Sequence, residues 1–152
     1  SQRTLTLAPL SIEAKAALPD LARRTLTKAA RSEEVPPVLI PEHEGLLRSA
    51  QAVLGPSWHA ISLRTRDFSV YVHASGQAIA LPGVKRPPVR VPSLLVPRIS
   101  RTHEIVTVHF VAEGAAWDVD IECLGGLDHP MCGDDVLIHS FLRTLRRLEP
   151  SP

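Results

Sequence analysis

Three carboxylates stand at alternate positions in the stretch WDVDIEC: Asp118, Asp120 and Glu122. Successive side chains of a β-strand point to opposite faces, so this spacing aims all three acids to one side. Acids presented this way hold Mg²⁺ or Mn²⁺ in phosphotransferases and nucleases. That chemistry also asks for a phosphate cradle or a cation beyond the acids. The chain has no GxxxxGK[ST], no GxGxxG and no lysine after Lys85. Trp117, Val119, Ile121 and Cys123 fill the alternate positions, so the same pattern makes the acids the wet side of an amphipathic strand. The surface reading outweighs the metal-dependent one.

A second set, Cys123, His129, Cys132 and His139, has the spacing C-x5-H-x2-C-x6-H. Thiolate and imidazole are the ligands zinc prefers, and four could close a tetrahedral site. The spacing lacks the C-x2-C knuckle of common fingers, and Cys123 falls on the apolar side of its strand, where a buried thiol belongs. Two cysteines in a chain of this size do not make a disulfide scaffold, so two reduced thiols and a cytoplasmic setting are expected. A catalytic role for Cys132 beside His129 is opposed by Asp134 and Asp135, which disfavour a thiolate. There is no G-x-S-x-G elbow, and His103-Glu104 lacks the second histidine of H-E-x-x-H. No complete catalytic set emerges, and no cofactor or metal is expected.

Cations form the third set. Arg23, Arg24, Lys28 and Arg31 lie on one predicted helix, and Lys85, Arg86, Arg90, Arg98 and Arg101 follow in and after a proline-rich stretch. Clustered cations are what phosphate contacts need, with exposed aromatics for single strands. Tyr71 and His73, on the polar face of a predicted strand, are the pair best suited to such contact. With 17 basic and 16 acidic residues, the net charge of +1 gives no global drive toward nucleic acid.

The elements that would position these residues follow from pattern. Hydrophobic residues make up 44% and charged residues 22% of 152, enough apolar matter for a core. No apolar run approaches the ~18 residues of a membrane span, and the opening residues do not read as a signal peptide. Ser11 caps a helix interrupted by Pro19, and Leu18, Leu21, Ala22, Thr25, Leu26 and Ala29 make its thin apolar stripe. EEVPPVLIP reads as a linker, dividing a helical arm (1–40) from a main domain (41–152). A long helix is expected from Pro41 to Leu54, stopped by Gly55-Pro56. WHAISLR, DFSVYVH and QAIAL read as a three-strand meander. Residues 82–98 hold five prolines and form a crossover, with one turn at Ser93–Val96. A hairpin spans Arg101 to Leu124, linked by Ala112 to Ala116. A final helix runs from an Asp134 cap to Leu148.

The fold class is therefore α+β, with an antiparallel sheet of about five strands in the order α(α)–βββ–crossover–ββ–α. This order is similar to that of the type III secretion chaperones and of bacterial YbjN-like proteins, over roughly residues 42–148. The resemblance implies a helix, three strands, a crossover, two strands and a last helix around one antiparallel sheet. The expected function is a non-catalytic adaptor or chaperone-like module that binds a partner protein, as a homodimer and without a membrane. The alternatives are a nucleic-acid-binding domain using the cationic set, and a metal-dependent phosphotransferase or nuclease using the carboxylates.

Overall fold

The computed structural model describes residues 7–75 and 91–150. Along the chain run α1 (Ile12–Ala17), α2 (Asp20–Arg31), β1 (Leu39–Pro41), α3 (Glu44–Leu47), β2 (Gln51–Leu54), β3 (His59–Arg64) and β4 (Phe68–Ser75). After the undescribed residues come β5 (Arg98–Thr102), β6 (Ile105–Ala112), β7 (Ala115–Cys123), α4 (Pro130–Gly133), α5 (Asp135–Leu142) and β8 (Leu145–Arg147). The fold is α+β. Six strands form one antiparallel sheet in the order β2-β3-β4-β7-β6-β5, and β1 pairs with β8 in a second, two-stranded sheet.

Period-2 alternation sets which face of the large sheet is dry. Ile61 and Leu63 of β3, Val70 and Val72 of β4, Val106, Val108 and Phe110 of β6, and Trp117, Val119 and Ile121 of β7 are all buried. Each such side chain contributes about 1.5–3 kcal/mol on burial. Ala22, Leu26 and Ala29 of α2, Leu46 and Leu47 of α3, and Ile138 and Leu142 of α5 close over them in one hydrophobic cluster. Ala22, Leu26 and Ala29 of the expected stripe thus cover the inner side of the sheet near β2, whereas Leu21, expected on the same stripe, is exposed. Trp117 Nε1 donates to Ala112 O at 2.9 Å, so the largest core side chain leaves no buried donor unpaired.

The hairpin is tighter than its sequence suggests. Ala112 pairs with Ala115, leaving a two-residue turn at Glu113-Gly114 with φ of 52° and 73°. Left-handed backbone at both positions matches the right-handed twist of the strands, and glycine adopts it without strain. His103-Glu104 makes a second such turn, φ 51° and 67°, between β5 and β6. Neither residue advertises it, so β5 is a strand the sequence did not announce.

Two expected helices are shortened. The helix from Pro41 to Leu54 is one turn, capped by His43 Nδ1, which accepts from Leu46 N. Ser49 ends it: its Oγ donates to Leu46 O and accepts Arg64 N at 2.8 Å, competing with helix continuation. QAVL then runs as β2 against β3. The C-terminal helix stops at Leu142, Thr144 Oγ1 donates to Phe141 O, and Leu145 to Arg147 pair with β1. Val38, Leu39 and Ile40, expected as linker, are fully buried, and the expected boundary at residue 40 falls inside this strand pair. QAIAL and most of the crossover lie outside the described residues. Ser93–Val96 is a bend and not the expected turn: Ser93 N donates to Val96 O, the reverse of the bond that closes a turn, and Leu94 packs on the core while Leu95 stays exposed.

Cys123 and Cys132 form a disulfide, which corrects the expectation of two reduced thiols. Alternation places Cys123 on the inner face, and Gly125 and Gly126, at φ of 86° and 72°, turn the chain back so that the two Cα atoms lie 6.2 Å apart. The bond ties the end of β7 to the short α4. The unfolded protein should show no free thiol until reduced. Reduction, or Cys132→Ser, should lower the unfolding free energy by about 2–3 kcal/mol in urea titrations, as closing a short loop predicts.

Candidate interaction surfaces

The face of the sheet opposite the core carries the polar half of every alternating strand. Register places Val53, Ala60, His73, Asp118, His109 and Arg98 in one row across six strands. The next row holds Gln51, Ser62, Tyr71, Asp120, Thr107 and Ser100. Two histidines therefore flank one carboxylate. His109 Nδ1 lies 2.8 Å from Asp118 Oδ1, and His73 Nε2 reaches diagonally to Asp120 Oδ2 at 3.0 Å. Thr107 Oγ1 donates to the other oxygen of Asp120 at 2.8 Å. The acids are held by neighbouring strands, as cross-strand pairing of opposite polarity predicts.

The carboxylate trio does not converge. Asp118 and Asp120 turn to different partners, and Glu122 sits opposite Ser69 and Ile105 in register. Among the described residues no group of three His, Cys, Asp or Glu side chains could hold a metal ion. The Cys/His set is dispersed as well. The sulfurs of Cys123 and Cys132 are bonded to each other, His129 Nδ1 caps α4 by accepting from Met131 N, and His139 lies half-buried on α5. With both thiols consumed, a four-ligand zinc site there is overturned.

An open groove of about 370 Å³ lies at one end of the polar face, where β3 begins and β4 ends. Trp58, Ala60, His73 and Asp118 line it. Trp58 is 42% exposed, and its indole lies against Gly55, where a Cβ would meet the ring at 2.2 Å. Gly55, expected as a helix stop, is needed as bare backbone beneath the indole. Tyr71 and Val53 are also exposed on this face.

The cations divide between two places. Arg23, Arg24, Lys28 and Arg31 share a second groove of about 360 Å³ with Lys15 of α1 and Thr27. Arg98 is exposed in the outer row of the sheet face, whereas Arg101 is engaged, donating to Cys132 O and pairing with Asp135. Lys85, Arg86 and Arg90 lie outside the described residues. Comparison with protein-family models, with curated proteins and with solved structures finds no match.

Sequence reading singled out Tyr71 and His73 but passed over His109, Thr107 and Trp58. The signal for the first two existed. A two-residue turn at Glu113-Gly114 fixes 109 opposite 118 and 107 opposite 120 by counting alone. Assuming a five-residue link hides that register. His59, which borders the first groove, was missed for another reason: nothing local marks it as buried. It is fully enclosed, its ring tilted 55° to that of Trp117 with centroids 5.5 Å apart, and Nε2 donates to Pro37 O at 2.9 Å. A carbonyl only accepts, so Nε2 carries the proton, and Nδ1 is left buried without a partner.

Burial pushes the His59 pKa below 6.5, against a smaller opposing pull from the Pro37 carbonyl. The folded state therefore resists a proton that the unfolded chain accepts, and stability falls as pH drops below about 6.5. Acidification from pH 7.5 to 5 should lower Tm in wild type, because one proton taken up only on unfolding removes at most about 1.4 kcal/mol of stability per pH unit. In His59→Gln, less stable at neutral pH, that portion of the pH dependence should vanish; an identical pH slope in both proteins would refute the assignment.

Proposed function

We propose that the chain is a non-catalytic interaction module whose partner protein lies across the open face of the six-stranded sheet, and that a second copy of the chain is its first occupant. The observation that carries this reading is the composition of that face. Exposed Trp58, Tyr71 and Val53 border a centre of hydrogen-bonded His–Asp pairs. Exposed aromatics beside satisfied polar groups are what interface centres use, because they desolvate without stranding a charge. Both signs occur on the same surface, with Arg98 in the row of Asp118 and the imidazoles of His73 and His109 interleaved with Asp118, Asp120 and Glu122. A surface that meets itself across a two-fold axis has to be self-complementary in this way.

The reading disfavours catalysis on the same ground. Asp118 and Asp120 each bond a histidine of a neighbouring strand, and among the described residues no group of three His, Cys, Asp or Glu could hold a metal ion. Among the described residues no helix is long and apolar enough to cross a membrane. The disulfide supports an oxidising compartment over the cytoplasm, since reducing compartments rarely leave such bonds closed.

Sedimentation equilibrium tests the proposal. Wild type is expected to associate as a dimer, and Trp58→Asp combined with Tyr71→Asp to shift it to monomer with an unchanged circular dichroism spectrum. Monomeric wild type at every concentration, or a variant that dimerises as tightly as wild type, would defeat the second-copy reading.

A further inference from the structure

The geometry points to a second binding site on the other side of the molecule: the groove between α1 and α2 takes the phosphate backbone of duplex nucleic acid. Five of the 17 basic residues and two of the 16 acidic ones lie between Ser11 and Arg31. The near-neutral total therefore hides a cationic pole, with a net negative remainder. All five of those cations, Lys15, Arg23, Arg24, Lys28 and Arg31, line one concavity of about 360 Å³, together with the hydroxyl of Thr27.

Charge in a concave site acts more strongly than the same charge on a convex surface, because low-dielectric walls focus the field. Arg23 is partly neutralised by Asp20 at 2.5 Å. Arg24 and Lys28 are exposed and have no acidic partner among the described residues. They stand one turn apart on α2, about 6 Å along its axis, and the line from Arg23 to Arg31 covers about 12 Å. A duplex carries one charge per about 1.7 Å of axis, so a line of that length meets several phosphates. Thr27, between them, adds a neutral donor of the kind that also bonds phosphate oxygens.

The lining also selects among polyanions. It contains no aromatic side chain, and single strands are held by stacking bases on aromatics. It contains no apolar side chain either, and a helical or extended acidic peptide needs pockets for apolar anchors. What remains is a ligand recognised by backbone charge alone, without base readout, so binding is expected to be independent of sequence and steeply dependent on salt.

Fluorescence anisotropy of a labelled DNA duplex with the full chain tests this. For three phosphates neutralised, affinity should fall about 40-fold between about 50 and 200 mM salt. Arg24→Glu with Lys28→Glu should abolish binding at the lower salt, while Arg24→Lys with Lys28→Arg should retain it. Should the double reversal melt early, Arg24→Gln with Lys28→Gln replaces it, with at least a tenfold loss expected. Binding unaffected by these changes, binding lost instead in Arg86→Glu with Arg90→Glu, a flat salt response, or preference for polyglutamate over the duplex would each overturn the assignment.

Discussion

The structure depends on one constraint more than any other: β7 must bury every second side chain. Trp117, Val119, Ile121 and Cys123 occupy the inner face, and β7 sits between β4 and β6 at the middle of the sheet. A shift of one residue in either pairing would carry four carbon-rich side chains into water and three carboxylates into the core. Burying those charges unpaired would cost far more than the sheet could supply. Register on both sides is therefore fixed, and with it the row that puts His73 and His109 on either side of Asp118. The polar face is a consequence of the apolar one, which is why its acids resemble a catalytic pattern without converging as one.

The same logic explains how much of the molecule could be read from residues alone. The α+β class, the antiparallel sheet and the inner residues of β3, β4, β6 and β7 follow from strict alternation over five or more positions, a signal that only a strand satisfies. Short elements carry no such signal. QAVL fits a helix face as well as a strand edge, and only the Ser49 side chain, bonded to the backbone of Arg64, decides it. The run after Leu142 keeps helical spacing at Leu145 and Leu148, yet Leu145 is drawn into pairing with Pro41. Long-range partners settle both cases, and no local window contains them.

The candidate sites divide in a similar way. Clustering of Arg23, Arg24, Lys28 and Arg31 was legible because helical periodicity brings them to one side, but Lys15 joins only because α1 and α2 are separate helices meeting at Pro19. The four Cys and His residues looked like ligands because their types suit zinc. Two glycines in left-handed backbone bring the sulfurs together first, and spacing alone cannot distinguish a thiol pair that binds a metal from one that bonds to itself.

The two proposed surfaces are coupled by where they lie. α2 closes over the inner side of the sheet through Ala22, Leu26 and Ala29, so its charged groove and the open His–Asp face look away from each other. A second copy seated on the open face would leave both cationic grooves uncovered, one on each outer side. Such a pair would present two phosphate-binding sites on one body. A second contact on the same duplex would then be intramolecular, with avidity set by the distance between grooves rather than by any added contact. A monomer would have only the weak, salt-sensitive attraction of one groove. In this arrangement the apolar constraint on β7 would bear on both proposed surfaces, by fixing which sheet face is polar and which is the apolar one that α2 packs against beside β2.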